Sequence, residues 1–183
     1  AYERSRQEDR SERYVATLAM NAARTLFAAK AYAQAVAYYD KVPRTDPAWP
    51  RAQVEAAWAA FRAEDMDTVL GRLHTNESPF FHDFYQPEAA MLRAQALYLL
   101  CKFPATTAAI DDFQARYQPI LDTLEVQVPQ LGDGGALEQA RTVLDGGTPA
   151  LPSMVLREVS WDGRLDQQLD TIAQGVHELT SLE

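Results

Sequence analysis

Between Glu88 and Tyr117 the hydrophobic positions recur at helical spacing in two runs, interrupted at Lys102-Phe103-Pro104. Ala90, Ala94, Leu97 and Cys101 form one stripe, with Met91, Gln95 and Tyr98 one step round; Ala109, Ile110, Phe113 and Tyr117 form the second. A proline cannot donate inside a helix but fits its first turn, so the pattern predicts two antiparallel helices closed by a short turn. A lone hairpin leaves a face uncovered and needs neighbours of its own kind.

The same plan recurs upstream. Leu18, Ala19, Ala22, Ala23, Leu26 and Phe27 lie on one broad stripe of a helix from Tyr14 to Lys30. A second helix is expected from about Tyr32 to Val42, ended by Pro43, Asp46 and Pro47. A shift of 34 residues gives a unit from Pro50 to Asn76, in which Ala57, Met66, Val69 and Leu73 replace Ala23, Tyr32, Ala35 and Tyr39. A further 37 residues bring Ala94, Phe103, Thr106 and Ile110 into those places. The three additional residues fit a longer connector, Asn76 to Gln86, whose aromatics suggest an ordered, packed linker.

The small residue at Ala23, then Tyr32, Ala35, Tyr39, Val42 and Pro47, resembles the tetratricopeptide repeat, a 34-residue helical hairpin. Ala19 and Ala23 stand where that family has tryptophan and glycine. The resemblance covers Tyr14 to Tyr117 and implies an all-α, right-handed superhelix of about three antiparallel hairpins with a C-terminal helical cap. The array is expected over residues 13–119; residues 1–12, charged and without apolar periodicity, read as a frayed helical or disordered lead-in, and 120–183 as a helical extension. The segment from Ser78 through Ala89, with CKFPATTAAIDDFQARYQPI, also resembles repeat-containing envelope proteins of deltaproteobacteria, including gliding-motility-associated ones. That narrower likeness points to the periplasm or cell envelope, with the cytoplasm as the alternative.

Beyond Pro119 the repeat phase is lost. Ile120 to Val128 can extend a helix; Ala136 to Leu144 is expected to be a short one between two Asp-Gly clusters, which read as turns because neither carries the carboxylate alternation of a calcium loop. Ser153 to Leu182 carries an apolar edge that includes Trp161, Leu165, Leu169 and Ile172. It is expected to cap the array, since a terminal unit must hide one face.

Composition narrows the function. Net charge is −9, which argues against a nucleic-acid binder relying on phosphate neutralisation and against docking on anionic lipid. No apolar run approaches the roughly 18 residues that span a bilayer. The single cysteine, Cys101, rules out an internal disulfide framework and is expected to be buried on an apolar face. His74, His82 and His177 have no i, i+4 partner, and paired acidic neighbours on a helix point apart. Neither a phosphate cradle nor a nucleophile elbow is present. Neither an enzyme nor a metal or cofactor protein is expected.

In arrays of this kind the first helix of each hairpin lines the inner surface, which implies a partner-binding set by phase. It comprises Met20, Arg24 and Phe27; Arg51, Val54, Trp58, Phe61 and Arg62; and Met91, Gln95 and Tyr98. Aromatic and arginine side chains are frequent hot spots, and a guanidinium grips a carboxylate bidentately. The expected function is a non-enzymatic scaffold holding a protein or peptide partner. The alternative is a structural or oligomerising module of a larger envelope assembly, its groove filled by its own last helix.

Overall fold

A computed structural model of the chain describes residues 2–81, 84–131, 135, 138, 139, 142 and 147–160. Among the described residues the regular elements are all helical and no strand occurs. In chain order they are α1 (Tyr2–Ala28), α2 (Tyr32–Tyr39), α3 (Trp49–Arg62), α4 (Met66–Asn76), α5 (Pro87–Leu99), α6 (Phe103–Gln127) and α7 (Ser153–Ser160). Short 3-10 turns follow at Pro79–Phe81 and Val128–Gln130. The all-α expectation holds. Over the expected lead-in the backbone is helical from Tyr2, while α2 stops at Tyr39, three residues before the expected Val42. The expected helix from Ala136 to Leu144 falls mostly outside the described residues, and residues 161–183 of the expected cap fall wholly outside them.

The chain divides into two compact units, Ala1–His82 with Gln86–Gln114, and Asp83–Tyr85 with Ala115–Glu183. Within the first, successive helices pack on one another from α1 through α5, and the odd-numbered ones also meet, α1 with α3 and α3 with α5. The helix ends explain the strict succession. Lys30, Glu64 and Cys101 have φ of 62°, 61° and 57°, so each leaves its helix through the left-handed region that reverses the chain. Two residues beyond each, α2, α4 and α6 begin.

The hydrogen bonds at those ends repeat residue for residue. The N–H groups of Ala31, Asp65 and Lys102 donate to Leu26, Ala60 and Leu97 at 2.9, 3.0 and 2.9 Å. Those of Lys30, Glu64 and Cys101 donate to Phe27, Phe61 and Tyr98 at 2.9, 3.1 and 2.9 Å. Orphan carbonyls at the helix C-termini are thereby satisfied. The left-handed residues lie 34 and then 37 positions apart, at 30, 64 and 101. That is the spacing of the hydrophobic pattern. Cys101, expected in the core, is instead this exposed turn residue, because α5 ends at Leu99.

Small residues let the helices approach. Ala16, Ala19, Ala23, Ala35, Ala52, Ala56 and Ala59 surround Met20, Tyr39 and Val42 in one core cluster. Ala57, Ala60 and Ala96 surround Val69, Leu73 and Leu92 in the next. Ala23 and Ala57, one repeat apart, are both fully buried, as are Ala35 and Val69. Replacing a methyl by a larger side chain there would force the backbones apart.

Two polar clamps flank these cores. Arg24 on α1 donates to Glu55 on α3 through Nε at 2.8 Å and Nη2 at 2.6 Å, while the Tyr39 hydroxyl on α2 donates to Glu55 Oε2 at 2.9 Å. Arg72 on α4 donates to Gln53 Oε1 on α3 at 3.0 Å and to Asp40 Oδ2, just past α2, at 3.1 Å. Glu77 and Arg93 form an ion pair from the end of α4 to α5. Asp65 caps α4, accepting from the Thr68 N–H at 3.1 Å and its hydroxyl at 2.6 Å.

The connector is packed, as its aromatics suggested: the Phe81 ring lies 5.5 Å from that of Trp49. In the second unit Tyr117, Ile120, Leu151 and Leu156 are buried, and Tyr85 meets Tyr117 edge-on at 5.8 Å. There the Ala150 N–H donates to Gln139 Oε1 at 2.6 Å.

Candidate partner-binding surface

Each expected contact residue sits on α1, α3 or α5, the first helices of the three hairpins. Their environments differ sharply. Val54 and Met20 are only 6% and 5% exposed, so both are core residues and present little surface to a partner. A helix crossed by neighbours on two sides leaves a narrower outward face than phase alone implies. Phe27 is half-buried, with its ring edge-on to Tyr32 at 5.4 Å. Trp58 is half-buried against the second core and meets Phe61 at 5.9 Å.

The guanidinium groups are engaged within the chain. Arg24 forms the bidentate pair with Glu55 just described, and Arg51 adds a third contact to that carboxylate at 3.5 Å. A ligand carboxylate at Arg24 would have to displace Glu55. Arg62 lies over the Tyr32 ring at 5.8 Å and donates from Nε to its hydroxyl at 3.5 Å.

This first network is electrostatically tuned. The hydrogen bond to Glu55 raises Arg24 above its already high ordinary value. Burial, and then the adjacent Glu55 carboxylate, pushes the Tyr39 phenol well above 10.0, because a phenolate would be both desolvated and repelled. Tyr39 therefore stays a hydrogen-bond donor. At the hairpin turn Asp65 is held below its ordinary value by the Thr68 hydroxyl and N–H.

The third hairpin is more open. Met91 and Tyr98 are 50% and 60% exposed, and Gln95 is exposed beside them. Phe61, Gln95 and Tyr98 come together with Ala94, Leu99, Thr106 and Ile110 around a cleft of about 360 Å³. Ile110, placed on the inward stripe by the sequence pattern, is 44% exposed on its wall. Thr106 spends its hydroxyl on the Lys102 carbonyl at 3.1 Å. The lining is almost entirely apolar, so an apolar side chain suits the cleft.

Comparison with family models, curated proteins and solved structures finds no match.

The geometry brings together three of the expected residues, Phe61, Gln95 and Tyr98, and holds Arg24, Arg51 and Phe27 in contacts of their own. Sequence reasoning missed Ala94, Leu99, Thr106 and Ile110 as cleft residues. The signal was present in the register, because the equivalents of Ile110, namely Tyr39 and Leu73, are each 2% exposed beneath a following hairpin. Among the described residues no group of three or more His, Cys, Asp or Glu side chains is arranged to hold a metal ion, and no helix is long and apolar enough to cross a membrane.

Proposed function

We propose that the chain is a non-enzymatic scaffold that holds a protein or peptide partner on the first helices of a right-handed, tetratricopeptide-like array. The observation that carries this reading is the cleft where Phe61 of α3 and Gln95 and Tyr98 of α5 converge. Support comes from three identical hairpin turns at the repeat spacing and from the successive contacts of α1, α3 and α5. A surface built on packed helices loses little conformational freedom when it binds. Trp58 and Arg62 flank Phe61 in sequence and supply the aromatic and cationic groups that dominate many interfaces. The narrower resemblance would put the scaffold in a cell-envelope complex on the periplasmic side, with no nucleic acid and no direct membrane insertion by this segment.

The test is affinity capture from a lysate by the wild type and by the double variant Trp58→Ala, Arg62→Ala, with circular dichroism to show that both are folded. A specific bound species lost by the double variant supports the reading. Capture unchanged in a folded variant contradicts it.

A second reading, a structural module that assembles without a groove ligand, is favoured by the exposed apolar residues at the two ends of the first unit: Val15 and Leu18 on α1, Tyr98 and Ile110 on the last hairpin. Of the segment expected to fill the groove from within, residues 153–183, residues 161–183 lie outside the described residues.

A further inference from the structure

We propose that copies of this chain associate head to tail, the outer face of α1 in one copy seating in the α5–α6 cleft of another. The inference rests on the hairpin register and goes beyond the peptide-scaffold reading.

The register supplies both halves of the contact. Tyr39 on α2 is buried with Ala52, Ala56 and Ala59 of α3, and Leu73 on α4 is buried with Leu92 and Ala96 of α5. The next residue in this series, Ile110, is 44% exposed. Likewise Ala23 and Ala57 are fully buried, whereas their equivalent Ala94 lines the open cleft. The cleft is therefore the seat that two earlier hairpins offer to a following helix, here without one from the first unit.

The complementary face is at the other end of the unit. On α3, Trp49, Ala52, Ala56 and Ala59 face the preceding hairpin. A shift of one repeat places Val15, Leu18, Ala22 and Thr25 at those positions on α1. Val15 and Leu18 are 46% and 51% exposed. An α-helix with an apolar stripe in this register is what the first two seats accept, and the chain presents one. Because the two faces differ, the contact is heterologous: the assembly keeps one free seat at one end and one free helix face at the other, and it grows until a ring closes.

Joining separate chains costs translational and rotational freedom that the internal interfaces avoid, so association is expected to be weak and concentration-dependent. Copies with a net charge of −9 repel each other, and an apolar contact is therefore strengthened by added salt, which screens that repulsion.

Sedimentation velocity on the full chain and two variants tests this. Leu18→Glu blocks the helix face and Ile110→Glu the seat; both sites are surface-exposed, and melting curves verify that each variant is folded, with Val15→Glu as a substitute for the first. The proposal predicts wild-type mass rising with concentration and salt, monomers for each variant alone, and dimers that grow no further when the two variants are mixed. A wild type that stays monomeric overturns it, as expected if a foreign protein or another part of the same chain takes the seat. Association unaffected by either substitution, or variants that fail to pair on mixing, also overturns it. Ile110 lines the same cleft as Phe61, so Leu18→Glu, which lies on α1 and leaves that cleft untouched, separates the two proposals: it abolishes self-association while partner capture by the cleft is retained.

Discussion

Tyr39 shows how one atom ties three helices together. Its ring fills the first core and its hydroxyl meets Glu55, which Arg24 already holds. Tyr39→Phe keeps the ring but removes a charge-assisted hydrogen bond, and chemical denaturation should show a loss of about 1–2 kcal/mol. The phenol is raised in the folded state, so its contribution is full below the ordinary tyrosine value of 10.0 and declines as pH rises above it. The wild type should therefore lose more stability than Tyr39→Phe on going to strongly alkaline pH. Parallel pH profiles for the two proteins would contradict this.

A left-handed φ costs a residue with a Cβ more than it costs glycine. At Glu64, with φ of 61°, Glu64→Gly should stabilise the chain by about 0.5–1 kcal/mol. Thermal melts measure the gain. The sequence pointed to a turn here but not to its conformation, because no glycine marks any of the three helix ends. Cys101 was assigned to the core for that same reason.

At the scale of elements, the apolar pattern located α3, α4 and α5 within a residue or two, since their breaks carry proline or charged turns, whereas α1 begins twelve residues before the expected Tyr14, α2 stops three short of Val42 and α6 runs on past Tyr117 to Gln127. It predicted less well which face of a helix is outermost. Val54 is buried because α3 is packed against α1 and α2 on one side and α4 and α5 on the other. The polar clamps were also illegible: Arg72 is separated from Gln53 and Asp40 by 19 and 32 residues, and nothing local announces the contact. Arg72→Ala removes the link among α2, α3 and α4 and leaves the amide of Gln53, 7% exposed, without that partner. The expected loss is about 1–3 kcal/mol, read as a lower denaturation midpoint, whereas a change within a few tenths would mean the clamp is dispensable.

At the scale of the molecule, the account depends on one repeating unit being used three times in the first compact unit. The candidate site follows from that repetition: Phe61, Gln95 and Tyr98 were legible as first-helix positions, while Ile110 and Thr106 became cleft walls only because no following helix of that unit covers them. Removing residues 31–64 would join Lys30 to Asp65 in the same turn that Glu64 makes now, so that α1 takes the place of α3 beside α4 and α5. Amide hydrogen exchange over residues 65–99 of this shortened chain is the most direct measurement. The repeat account predicts continued protection of α4 and α5, reduced but well above that of an unfolded chain. Exchange at unprotected rates throughout that stretch would show that the hairpins are not interchangeable and would contradict it.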